Sequence, residues 1–126
     1  MKSFRIVSVD VKSDKGSVES FAAGRDARVV IGFDRSLTRL ECKRVKDEVA
    51  KFVGDVERVS ASGSKVTVRT RDFDSVGEFI DAANSYSQSW ADDVAAEVVA
   101  AESALSSAGE SVKSRVVYRV NGPGFG

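Results

Sequence analysis

The 126 residues are 42% hydrophobic and 30% charged, enough apolar material for one core and too much for a disordered chain. Lysine and arginine number 19 against 19 aspartates and glutamates, so the chain is neutral and its overall charge does not favour a polyanion. Histidine is absent and Cys42 is the one cysteine, which excludes imidazole chemistry, an internal disulfide, a cysteine-based zinc site and a two-cysteine redox motif.

Residues 4–11 alternate apolar and polar through Val7, Val9 and Val11, the period of a strand. Asp14-Lys15-Gly16-Ser17 breaks the pattern, and residues 17–23 read as a short strand or as loop. Residues 27–33 give a central strand, with Ala27, Val29, Ile31 and Phe33 on one face and Arg28 and Val30 on the other. Thr38 and Glu41 have the spacing of a capping box, Cys42, Val45, Val49, Phe52 and Val53 follow at helical intervals, and Gly54 is a natural stop. Strand patterns at 56–60 and 66–70 around the small residues 61–65 predict a hairpin. Ser75 and Glu78 form a second capping-box pattern, opening a stripe through Val76, Ile80, Ala83, Trp90, Val94, Val98, Ala101 and Leu105. That stripe is one bent helix or two, since residues 84–88 are poor helix formers. Residues 115–120 close the chain as a strand, with Val116, Tyr118 and Val120 inward and Val117 and Arg119 outward.

This reading makes residues 1–120 a single α+β domain and residues 121–126 a flexible tail. No run of about 18 apolar residues is present, and the N-terminus turns polar by Asp10 without the apolar core of a signal peptide, so a cytoplasmic protein is expected. The element order gives a mostly antiparallel sheet with two helical segments on one face. It resembles a ferredoxin-like, split β-α-β unit with an extra N-terminal strand.

The order also resembles the ribonuclease H fold, in which an Asp on the first strand, a Glu on the first helix and an Asp-Ser pair after the fourth strand hold metal. Asp10, Glu41 and Asp74-Ser75 match loosely, and the resemblance implies a two-metal site for phosphoryl transfer. The sequence departs from it by an extra hairpin before Asp74 and by having no helix after the last strand to carry a fourth acid. Each acid also has a plainer role: Glu41 closes a capping box, Asp74 sits at a helix entry and Asp10 is a solvated strand residue. Asp72 with Asp74, Asp93 with Glu97, Ser62 with Lys65, and the glycines of 122–126 read as a helix entry, a helix face, a turn and a terminal run. No catalytic residue, metal ligand or cofactor is assigned.

Charge is segregated along the chain. Residues 1–71 carry 16 basic and 10 acidic side chains, residues 72–110 nine acidic and no basic, and residues 111–126 three basic. Arg35, Arg39, Lys43 and Lys46 make a basic stripe on the first helix and the second helical region is acidic, opposite stripes that meet within one molecule or between two. The sheet face away from the helices would present Val30, Arg69, Arg71, Val117 and Arg119, apolar and arginine side chains without an aromatic. These features predict a non-enzymatic, self-associating protein-interaction module, a homodimer acting as an assembly or regulatory factor through this face or the long helix. The alternative is a nucleic-acid-binding protein using the arginines of the face. An acidic mimic of nucleic acid and a metal-dependent nuclease are lesser readings.

Overall fold

In the computed structural model residues 3–120 are described, with side chains described over residues 3–116. Four strands, β1 (Ile6–Val11), β2 (Ala27–Phe33), β3 (Val59–Ser62) and β4 (Lys65–Thr70), form one sheet in the order β1-β2-β4-β3, every pair antiparallel. β2 and β3 therefore run parallel on either side of β4. The α+β class and the antiparallel sheet follow the sequence reading, and the inward sets of the two central strands, Val29 and Ile31 with Val66 and Val68, are buried. The hairpin joining β3 to β4 is tighter than the sequence reading, turning on Gly63 and Ser64 alone. Gly63 has φ +61°, the left-handed first position of a type II′ turn, where a Cβ would be strained. Residues 56–58 are a short 3₁₀ turn rather than strand, because the Asp55 carboxylate accepts from the Glu57 backbone N–H at 2.9 Å and bends the chain there.

β1 carries an irregularity that the alternation hides. Ile6 pairs with Phe33 but Ser8 pairs with Gly32, so Val7 is an extra residue bulged out of the ladder. The bulge lets Ile6, Val9 and Val11 share the face of Phe33, Ile31 and Val29. Gly32 lets the Ser8 hydroxyl lie over the strand, since a Cβ there would force that hydroxyl to turn away.

The segment read as a second strand or loop is a helix, α1 (Lys15–Ala22). Asp14 is its N-cap, accepting from the Ser17 backbone N–H at 3.2 Å and from the Ser17 hydroxyl at 2.6 Å. The tetrad that looked like a strand breaker is thus a helix starter. α2 (Arg39–Val53) has the predicted capping box on Thr38 and Glu41 and stops at Gly54 in the left-handed conformation, φ +86°. α3 (Phe73–Val120) begins earlier than Ser75 because Asp72 caps it, accepting from the Ser75 N–H at 3.1 Å and its hydroxyl at 2.6 Å.

The predicted closing strand at 115–120 is part of α3. Val98, Ala101, Leu105, Ala108, Val112 and Val116 continue the helical interval of the earlier stripe, and the edge of β2 that a closing strand would pair is already taken by β1. Residues 121–126 lie outside those described. Residues 1–94 form one compact unit, and a second begins at Ala95.

In the first unit α2 and α3 bury one sheet face. Phe4, Val29, Ile31, Phe33, Val45, Val49, Val66, Val68, Phe79 and Trp90 belong to a single core. Phe79 is its centre: the ring meets Phe52 edge-on at 6.2 Å and stacks on Trp90 at 6.0 Å between centroids. Replacing it with alanine removes a fully buried ring that packs against aromatics of α2 and α3. Phe79→Ala is expected to destabilise the protein by about 3–5 kcal/mol, read as a fall in the urea midpoint at unchanged slope.

Candidate functional site

Asp10, Glu41 and Asp74 are not gathered into a site. Asp10 is an exposed residue of β1, Asp74 lies in the first turn of α3, and Glu41 sits on the second helix of the chain because α1 precedes it. Among the described residues no group of three acids or cysteines is placed to hold a metal ion. Glu41 is fully buried with both oxygens engaged. Arg35 Nη1 donates to Oε1 at 2.8 Å and Nη2 to Oε2 at 2.6 Å, while the Thr38 backbone N–H donates to Oε1 at 2.9 Å. Arg35 also donates to the Ser3 carbonyl at 3.3 Å and lies 5.5 Å from the Phe4 ring centre, tying the N-terminal segment to the start of α2. The guanidinium fork, helped by the Thr38 N–H, holds the Glu41 carboxyl below its ordinary value of 4.5. Burial raises the thiol of half-buried Cys42, the opposite of what a nucleophile needs.

The sheet face away from the core can be read from the ladder, since directly paired residues share a face. Val30 and Arg69 are on it, as the sequence reading placed them. Arg28 pairs with Arg69, Val30 with Asp10 and Thr67, and Gly32 with Ser8 and Lys65. Arg71 has a structural task instead. Its guanidinium lies 3.9 Å from the Phe21 ring centre, and Nη1 donates to the carbonyls of Phe21, at 2.9 Å, and Arg25, fastening the end of α1. Val117 and Arg119 belong to α3 and so are not on the sheet; their side chains lie outside those described. Two cations that the sequence reading did not place there join Arg28 and Arg69. The Lys12 backbone N–H donates to the Arg28 carbonyl at 2.9 Å, extending the row past the end of β1. Arg58 precedes β3 and lines the same hollow as Arg28 and Arg69. Neither lies inside a strand, so alternation gave no sign of them.

Among the described residues one ion pair joins α2 and α3, through an arginine outside the expected basic stripe. Arg44 of α2 pairs with Asp93 of α3 at 3.1 Å and with Glu48 at 3.0 Å. Of the expected basic stripe, Arg35 lies ahead of α2 and serves Glu41, while Arg39 and Lys43 are exposed. A second surface lies in the distal part of α3, where Val99, Leu105, Val112 and Val116 are 64%, 73%, 60% and 55% exposed. No helix among the described residues is long and apolar enough to cross a membrane.

Comparison with protein-family models, curated proteins and solved structures found no match. The surfaces therefore stand on their own geometry: a cationic row on the open sheet face and an apolar stripe on the distal helix.

The Arg35 and Glu41 pair makes a pH prediction. A carboxylate held below 4.5 stabilises the fold above that value, and the contribution is lost as pH falls through the lowered value. The acid limb of a stability profile is expected to flatten in Glu41→Gln. Arg35→Ala, which strands a buried carboxylate, is expected to cost about 3–5 kcal/mol at neutral pH; thermal melts from pH 7 to pH 3, values chosen to bracket roughly the carboxylate range, check both.

Proposed function

We propose that this chain is a non-enzymatic, self-associating protein-interaction module, a cytoplasmic homodimer serving as an assembly or regulatory factor, whose copies meet along residues 95–116 of α3. The observation that carries this reading is a helix with a regular apolar stripe whose large side chains are mostly exposed among the described residues. Val98, Ala101, Leu105, Ala108, Val112 and Val116 fall at helical intervals, and the large ones from Leu105 onward are mostly exposed.

Local propensity does not account for such a helix. Ser106, Ser107, Gly109 and Ser111 are poor helix formers, and most helical stability in proteins comes from packing an amphipathic face. Burial of the stripe supplies what propensity lacks. The charges favour a second copy in antiparallel orientation: Glu97 and Glu102 lie near one end of the segment, Lys113 and Arg115 at the other. Antiparallel copies set acid against base, whereas parallel copies set like against like. The small side chains Ala100, Ala101, Ala104 and Ala108 permit close approach of the helix axes.

At the level of the fold, we read β2, α2, β3 and β4 as a split β-α-β unit, with β1 beside β2 in the place of a closing strand.

Light scattering coupled to size exclusion tests the association. The parent is expected to run as a dimer at micromolar concentration, and Leu105→Lys/Val112→Lys to raise the dissociation constant about 100-fold or more, since each buried leucine or valine contributes about 1.5–3 kcal/mol. Orientation has its own check: Glu97→Lys/Glu102→Lys is expected to weaken the dimer and added Lys113→Glu/Arg115→Glu to restore it. A parent that is monomeric at all concentrations contradicts the reading.

A further inference from the structure

Arg28 and Arg69 are directly opposed across the central strand pair, both exposed. Like charges in that relation destabilise a sheet, and they stand in a row with two more cations, Lys12 at the β1 end and Arg58 beside β3. Adjacent strands are about 4.8 Å apart, so the row places cations at the spacing of neighbouring anionic groups on a chain. The acids nearby neutralise chiefly the Arg58 end of it. Arg58 pairs with Asp26 at 2.8 Å and approaches Asp55 at 4.0 Å, the Asp14 carboxyl bonds Ser17 and is also held below its ordinary value by the Arg28 charge, and Asp10 lies two residues before Lys12. Arg69 spends one donor on the Glu57 carbonyl at 3.0 Å, leaving the rest of its five N–H groups. The Arg28 guanidinium makes no side-chain hydrogen bond or salt bridge among the described residues and interacts at longer range with Asp14.

The row divides two hollows. One, of about 500 Å³, is lined by Ser17, Ser20, Arg25, Asp26, Arg28 and Arg69; the other, of about 460 Å³, is lined by Arg28, Glu57, Arg58, Ser60, Thr67 and Arg69. Each hollow therefore combines the arginine pair and hydroxyl donors, which suit phosphate oxygens, with one acidic residue. The positions of this face, Ser8, Asp10, Val30, Gly32, Ser60, Ser62, Lys65 and Thr67 beside the row, include no aromatic on which a base would stack.

We propose that the row Lys12, Arg28, Arg69 and Arg58 binds a ligand carrying successive phosphate groups, one seated in each hollow across the arginine pair, and holds it through the phosphates alone. The site is independent of helix pairing, because every residue it uses lies in residues 1–94. A condensed phosphate chain and the backbone of a single-stranded nucleic acid both present this chemistry.

Titration of the full chain with inorganic tripolyphosphate and, separately, with oligo-dT and oligo-dA of equal length tests it. The expected result is saturable binding of at least one probe, equal affinity for the two oligonucleotides, and a steep loss of affinity with rising salt through counterion release. Tighter binding of the oligonucleotides assigns the site to nucleic acid, and equal or tighter binding of tripolyphosphate assigns it to condensed phosphate. Arg28→Ala/Arg69→Ala is expected to weaken binding at least about tenfold, the loss of charge-assisted hydrogen bonds. A thermal melt separates this from a folding defect. Without ligand, Arg28→Ala is expected to melt no lower than the parent because repulsion is relieved, and phosphate probes are expected to raise the melting temperature of the parent but not of the double variant. Failure of all three probes to bind at about 1 mM, or affinity unchanged in the double variant, would overturn the proposal.

Discussion

Residues 3–94 are organised by the need to keep one face of a four-stranded sheet out of water. β2 and β4 supply nearly continuous aliphatic surface on that face, and α2 and α3 close over it around Phe79. Fixing the entry of α2 is part of the same task. The Arg35 fork on buried Glu41 joins the segment at Ser3 and Phe4 to the capping box at Thr38, so the first helix over the core begins at a defined place. With both helices committed to one side, the opposite face of the sheet is left to polar and cationic residues.

Elements whose burial sets a period were legible in the sequence. The central strand, the Thr38 and Glu41 cap, the Gly54 stop and the hairpin all follow patterns in which one face is apolar or one backbone angle is special. α1 was not legible because it buries no residue completely: Asp14 and Ser17 define it through a cap, and Arg71, fifty residues away from Phe21, fastens it. The bulge at Val7 leaves no trace in alternation, since it changes pairing rather than composition. Val116, Val117 and Val120 satisfy a strand pattern and a helical one alike, and the competing fact, that β1 already occupies the edge of β2, is a property of the assembled sheet.

The residues read onto the open face do not all lie there. Val30 and Arg69 lie on it, but Arg71 is engaged with α1, and Val117 and Arg119 belong to a helix. The cations that complete the row come from residues flanking strands, where sequence periodicity carries no information about facing. The two surfaces also differ in physical character. Apolar burial on the distal helix is insensitive to salt, whereas a cationic row loses affinity steeply as salt rises. Salt would therefore distinguish the two proposed sites.

The account rests most heavily on the claim that residues 95–116 keep their helical form by lying against a second copy. Hydrogen exchange of backbone amides, followed as the protein is diluted from about 100 μM to below about 1 μM, addresses it directly, because protection from association depends on concentration and protection from the chain's own fold does not. Amides of residues 98–116 are expected to be protected at the high concentration and to lose protection on dilution, while those of β2, β4 and α2 stay unchanged. Protection of residues 98–116 that is the same at every concentration, or absent at all of them, would contradict the account.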